Sequence, residues 1–164
     1  MIDAAVIILA LVTAQRLIEL VLARRNTDRL IAAGAIETGR SHYPLIVLLH
    51  AAWLAALWWL APGQPVSWLL VGLFALLQLA RVWVIASLGR RWTTRIITLP
   101  GEERVRSGPY RFVDHPNYLI VALEIALLPL AFGLVRVALV FSVLNAAMLA
   151  VRIRAENRAL RAST

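Results

Sequence analysis

The sequence predicts an all-α integral membrane protein of five transmembrane helices, the last two a helical hairpin, with a long cytoplasmic loop and a C-terminal helix. Three observations carry this reading: long apolar runs, a Pro/Gly break inside the longest of them, and arginines gathered on alternate connections. Of the 164 residues 61% are hydrophobic and the mean hydropathy is +0.77, against roughly 45–50% apolar usage in soluble domains. A soluble domain of this size leaves too much surface in water to hide so much apolar side chain. The length suits one domain, residues 1–164.

A helix needs about 20 residues to cross a hydrocarbon core of about 30 Å. The first expected span is 2–22; nothing ahead of it reads as a basic, cleavable leader, so it is expected to be retained. The second is 44–60, and the turn Ala61-Pro62-Gly63-Gln64-Pro65 leads into the third, 66–88. The run from Asn117 to Val151 is 35 residues, or about 52 Å as one helix. Pro129 and Gly133 divide it into 117–132 and 135–152, turning near Ala131 to Arg136.

All basic residues are arginine, and the net charge is +8. Arg24, Arg25, Arg29 and Arg40 follow the first span, Arg90, Arg91, Arg95, Arg104, Arg106 and Arg111 the third, and Arg152, Arg154, Arg158 and Arg161 the fifth. These belong to connections on one side of the membrane, and Arg136 faces the other. The positive-inside rule then places the N-terminus outside and the C-terminus in the cytoplasm of an inner (cell) membrane. Basic charge dispersed between apolar runs argues against a nucleic-acid surface. The absence of Cys excludes disulfides and a thiol nucleophile, and His42, His50 and His115 are too scattered for a metal signature.

The loop 89–116 is long for a compact protein, and such loops are functional or disordered. Trp92, Ile96, Ile97, Leu99, Tyr110 and Phe112 among its charges favour function, with Thr93 to Leu99 read as extended and Pro100-Gly101 and Gly108-Pro109 as turns. It ends in His115-Pro116-Asn117-Tyr118, with proline at a favoured first helical position. His115 therefore stands at a helix start, where free N–H groups favour a carboxylate or phosphate; the plainer alternative is a simple cap. Arg152 and Glu156 share a helix face, level with His115 where the last span leaves the membrane.

Within the spans, Gln15, Arg16 and Glu19 share one face of the first helix, Gln78 and Arg81 lie in the third, Glu124 in the fourth and Asn145 in the fifth. Such groups face a bundle interior, as a site or as an interhelical clamp, and the arginines could instead snorkel. His50 reads as a packed interior residue. No phosphate-binding glycine loop, dinucleotide fingerprint or nucleophile elbow is present.

Ser107 through Tyr118, followed by Arg152-Ile153-Arg154-Ala155-Glu156, resembles the isoprenylcysteine carboxyl methyltransferase (ICMT) family, integral membrane enzymes that use S-adenosylmethionine (SAM). The likeness is tightest over Leu88 to Leu160. Gln15 to Leu20, Arg24-Arg25-Asn26, Gly34 to Glu37 ahead of His42-Tyr43, and Leu88 to Thr93 look like a bacterial branch that includes O-methyltransferases of alkylpyrones and alkylresorcinols. The resemblance implies a SAM pocket lined by Tyr110, His115, Pro116, Asn117 and Tyr118, with backbone contacts from Glu102, Glu103, Arg104 and Val105 and with Arg95 reaching the cofactor. Glu156 would bind SAM, and Arg152 would orient the acceptor, gripping it if it is a carboxylate. A phenol or enol acceptor would need a base, for which His115 and Glu156 are the candidates. Asp114 stands where the family commonly has an arginine, and Asn157 where many members have a second glutamate. The implied partners are a lipophilic acceptor and membrane lipids, with no metal and no nucleic acid. Competing readings are a phospholipid N-methyltransferase, or a small subunit or transporter in which Glu124 and Arg81 relay an ion.

Overall fold

In the computed structural model, which describes residues 3–101 and 105–162, five helices account for most of the chain: α1 (Ala4–Ala32), α2 (Tyr43–Leu60), α3 (Trp68–Leu88), α4 (Pro116–Ala131) and α5 (Val135–Ala162). Four of them, all except α4, are long and apolar enough to cross a membrane. Their large side chains face outward in numbers no aqueous surface tolerates, with Ile18 69%, Trp59 86%, Leu69 76% and Val143 69% exposed. The helix α4 has 16 residues and rises roughly 24 Å, less than the hydrocarbon thickness. It is wedged against α3 and α5, burying Ile120, Glu124, Ile125 and Leu128.

Two helices run beyond their expected spans, and the expected C-terminal helix is continuous with the fifth. α1 continues through Arg24, Arg25, Asp28 and Arg29 to Ala32, and α5 continues through Arg152 and Glu156 to Ala162 as one rod. Hydropathy ends where the apolar run ends, but helix propensity does not, because Arg, Ala, Leu and Glu are all good helix formers. Pro62-Gly63 and Gly133 mark the α2–α3 and α4–α5 turns, both glycines having positive φ.

Two sets of contacts define the ends of the bundle. At one end Asp3 caps α1 by accepting from the Ala5 N–H (2.9 Å) and reaches the Gly63 N–H (2.5 Å), while the Ser67 N–H donates to the Ala131 carbonyl (2.8 Å). Below this end lies the apolar core of Leu9, Val12, Trp53, Leu57, Phe74, Leu128 and Phe132. At the other end a short strand after α1, β1 (Ile36–Thr38), pairs antiparallel with β2 (Ile96–Thr98), with Glu37 opposite Ile97. The buried Asn26 side chain donates to the Gly89 (3.2 Å) and Trp92 (2.8 Å) carbonyls, fastening α1 to the loop after α3. The connections after α1 and α3 therefore meet beside the end of α5, and the extended piece expected over 93–99 is half of a two-stranded ribbon.

Candidate functional site

At this second end the chain forms an open, comparatively polar cavity of about 810 Å³. Three segments converge on it. A 3₁₀ turn, Gly108–Arg111, brings Tyr110 to its wall. The start of α4 supplies His115, Asn117 and Tyr118, and the far turns of α5 supply Arg152 and Glu156. The antiparallel α4–α5 hairpin sets residues 38 positions apart at one level, so the Tyr118 hydroxyl donates to Glu156. Arg152 donates from Nε to the Tyr118 hydroxyl (2.8 Å) and from Nη2 to the Thr94 carbonyl (2.6 Å), while its guanidinium lies 5.4 Å from the Tyr118 ring centre. His115 stacks on Tyr118 at 5.3 Å and its Nδ1 lies 3.7 Å from Glu156. Pro116 takes the first position of α4, and the His115 side chain makes no capping bond, so the imidazole faces the cavity instead of closing the helix.

The electrostatics of the wall are mixed. Arg91, Arg95, Arg106 and Arg111 border the cavity, opposed by Asp114 and Glu156. Burial, and secondarily the Glu156 charge, pushes the Tyr110 phenol above its ordinary range, so it stays protonated and able to donate. Among the described residues, two buried polar atoms, Trp92 Nε1 and Asn117 Oδ1, have no hydrogen-bond partner. Each unmet donor or acceptor costs about 1–3 kcal/mol.

A second cavity of about 300 Å³ lies deeper, between α1, α2 and α4. Its walls are mainly apolar, and it shares Trp92, Thr93, Asn117, Tyr118 and Arg152 with the first. Its polar side is the cluster of intramembrane residues. Arg81 donates to Glu19 from Nε (2.7 Å) and Nη2 (2.7 Å) and to Glu124 from Nη1 (3.1 Å); Arg16 bridges Glu19 (2.9 Å) and Glu124 (2.8 Å). Gln15 and Gln78 complete the ring, with Gln78 donating to Glu124 at 2.8 Å. Neither arginine snorkels. Two cations and two carboxylates form a neutral clamp across α1, α3 and α4.

Several sequence expectations land here differently. Tyr110, Val105, His115, Asn117, Tyr118, Arg152 and Glu156 all line the polar cavity, as do Asp114 and Asn157. Pro116 is buried in the helix start. Arg95 borders the cavity, but its guanidinium is engaged by Glu37 (2.9 Å) and sits 4.6 Å over the Tyr43 ring. Glu102, Glu103 and Arg104 lie outside the described residues. Missed altogether were the Thr94 carbonyl, which holds Arg152, and the Tyr43 hydroxyl, 3.0 Å from Thr94 Oγ1. A backbone acceptor leaves no residue signature, and the ribbon that aligns these groups pairs segments about sixty positions apart. Among the described residues no group of three or more His, Cys, Asp or Glu is placed to hold a metal ion.

The apolar spans and outward-facing surface define an integral membrane protein. Residues 70–162, more than half the chain, match the isoprenylcysteine carboxyl methyltransferase (ICMT) family, and the chain belongs to that family of membrane methyltransferases. Two relatives extend the likeness over nearly the full length. The uncharacterised protein YpbQ of Bacillus subtilis (strain 168) is 42% identical over 160 residues, 94% of this chain and 95% of its own. An uncharacterised protein of Haemophilus influenzae is 32% identical over 159 residues, 92% of this chain and 91% of its own. No solved structure matches.

Proposed function

We propose that the protein is a SAM-dependent methyltransferase that modifies a lipophilic acceptor, by O-methylation or carboxyl methylation, at the inner face of a bacterial cell membrane. In this reading α4 completes a fifth crossing, the N-terminus is outside, and the arginine-rich end with both cavities is cytoplasmic, in keeping with the positive-inside rule. The observation that carries it is the pair of cavities, one polar and one apolar, sharing a wall of five residues.

The polar cavity suits SAM in its donor set. SAM supplies an electrophilic methyl on a sulfonium, and the protein supplies position and surroundings. Glu156 and Asp114 offer carboxylates to a sulfonium or an ammonium group, and the ring of Tyr110 favours a nearby cation. Arg106 and Arg111 of the loop can take a carboxylate. Tyr118 binds Arg152 on the shared wall and Glu156 on the polar side of it, so donor and acceptor meet at fixed geometry, which can be worth several kcal/mol of barrier. Apolar walls behind the acceptor exclude competing water.

Equilibrium binding of SAM to detergent-solubilised protein tests this. Saturable binding at sub-millimolar SAM is expected, lost in His115→Ala and Glu156→Ala while helicity is kept. Arg152→Ala is expected to lower turnover more than SAM affinity. Unchanged affinity in both cavity variants would overturn the assignment.

A further inference from the structure

Four exposed arginines at the cavity-bearing end of the bundle have no counter-charge. Arg24, Arg25, Arg29 and Arg90 line neither cavity and make no ion pair among the described residues. Arg40 and Arg95, by contrast, pair with Glu37, and Arg152 is held by Tyr118 and Thr94. The nearest acid in sequence, Asp28, is engaged by none of the four. Arg25 and Arg29 are four apart on one helical face, where like charges repel.

Their depth is set by the helices that carry them. The apolar run of α1 from Ala4 to Leu22 rises about 28 Å, and the 21 residues of α3 rise about 31 Å, each close to the hydrocarbon thickness of about 30 Å. Arg25 and Arg90 therefore stand at the edge of the hydrocarbon, and Arg29 one turn farther out, in the headgroup layer and not in bulk water. The two helix ends are tied at this level by the Asn26 bonds to the Gly89 and Trp92 carbonyls.

The side-chain rows of α1 separate a bundle face from a lipid face. Gln15, Glu19 and Asn26, at i, i+4 and i+11, reach α3 or the turn that follows it. Ile18, Leu22, Arg25 and Arg29, at i, i+4, i+7 and i+11, form the adjoining row, and all four are exposed. On α3, Val82 and Ala86 are exposed, and Arg90 follows four residues on. Each helix thus offers apolar side chains to an acyl chain and ends in guanidinium groups at phosphate height. Arg24 lies at the same depth but about 100° around the helix from Arg25.

We infer that Arg25, Arg29 and Arg90 bind the phosphate of an anionic phospholipid whose acyl chains lie along Ile18 and Leu22, and that the bound headgroup tethers α1 to the loop after α3. Guanidinium groups take phosphate oxygens in bidentate pairs. A zwitterionic headgroup brings its own cation to the same place, so net negative charge selects the lipid. The tethered loop includes Trp92, which walls both cavities, so the charge of the leaflet sets the order of the segment that carries the candidate site. This lipid site is separate from both cavities and does not depend on methyl transfer.

Native mass spectrometry of the full chain in neutral detergent, titrated with phosphatidylglycerol or with phosphatidylcholine of the same acyl chains, tests this. Phosphatidylglycerol is expected to be retained at the lower concentration. Its affinity should fall about fivefold for each of Arg25→Gln, Arg29→Gln and Arg90→Gln, the usual worth of one basic residue at an anionic surface. Arg24→Gln should leave retention unchanged. Should a glutamine variant fail to insert, Arg25→Lys keeps the charge, loses the bidentate fork and should still weaken retention. In nanodiscs, phosphatidylglycerol should slow proteolysis within 89–115 of the wild type and not of the variant combining the three glutamine changes. Equal retention of the two lipids, an equal loss on Arg24→Gln, undiminished retention by Arg25→Lys, binding of glycerol phosphate as tight as that of the lipid, or proteolysis indifferent to the lipid would each overturn the inference.

Discussion

Replacing Glu124 by glutamine should be among the most damaging single changes in the bundle. Its carboxylate is only 3% exposed and accepts from Arg16 (2.8 Å), Gln78 (2.8 Å) and Arg81 (3.1 Å). In the native clamp Arg16 and Arg81 balance Glu19 and Glu124. Glu124→Gln leaves two guanidinium groups to one carboxylate, a net buried positive charge. Breaking a buried pair from one side costs about 3–5 kcal/mol, because the remaining charge keeps its desolvation penalty and loses its compensation. The double variant Arg81→Met, Glu124→Leu restores neutrality through the surviving Arg16–Glu19 pair (2.9 Å) and should be the more stable of the two. Unfolding by SDS titration in mixed micelles, followed by circular dichroism, ranks all three proteins. A loss below about 1 kcal/mol for Glu124→Gln, the range of exposed ion pairs, or a double variant weaker than the single, would refute the picture of a buried, charge-balanced clamp.

Two further predictions concern the loop that carries the site. Asn26→Ala removes the side chain that ties α1 to the Gly89 and Trp92 carbonyls, leaving them without that donor at a cost of about 1–3 kcal/mol; faster proteolysis within 89–115 and weaker SAM binding are expected with the helices retained, and unchanged proteolysis would remove Asn26 from this role. Gly108 adopts φ +58, and a Cβ there would stand 2.2 Å from Ser87 Oγ. Gly108→Ala therefore meets both a left-handed backbone penalty of about 1–2 kcal/mol and a clash on α3, and it should lower SAM affinity through the displaced Tyr110; Ser87→Gly should restore part of the loss, and no recovery would show that the clash is immaterial.

What was legible in the sequence divides by the range of the interaction. Apolar runs and the Pro62-Gly63 turn locate α2 and α3 closely, because burial in lipid and the loss of helix at that turn are local effects. The end of α1 was not legible, since a hydropathy boundary marks the membrane surface and not the end of a helix, whereas the expected C-terminal helix is the far part of α5. Among the residues of the candidate site, His115, Tyr118, Arg152 and Glu156 were visible because a helical hairpin sets the two ends of one apolar run side by side. The inward turn of Arg16 and Arg81 was only one of two alternatives, and the clamp that decides it needs partners from three helices. The Thr94 and Tyr43 contacts depend on a ribbon between distant segments, for which three-residue strands leave no periodic trace. His50 was read as interior packing, and it lines the second cavity from α2.

The most direct measurement follows a radiolabelled methyl group. Purified protein in nanodiscs prepared with a lipid extract, supplied with methyl-labelled SAM, should move label into an organic-soluble product, and Glu156→Ala should not. Label that stays in the aqueous phase with every extract tried, or that is transferred equally by Glu156→Ala, would contradict a methyl-transfer site spanning the two cavities.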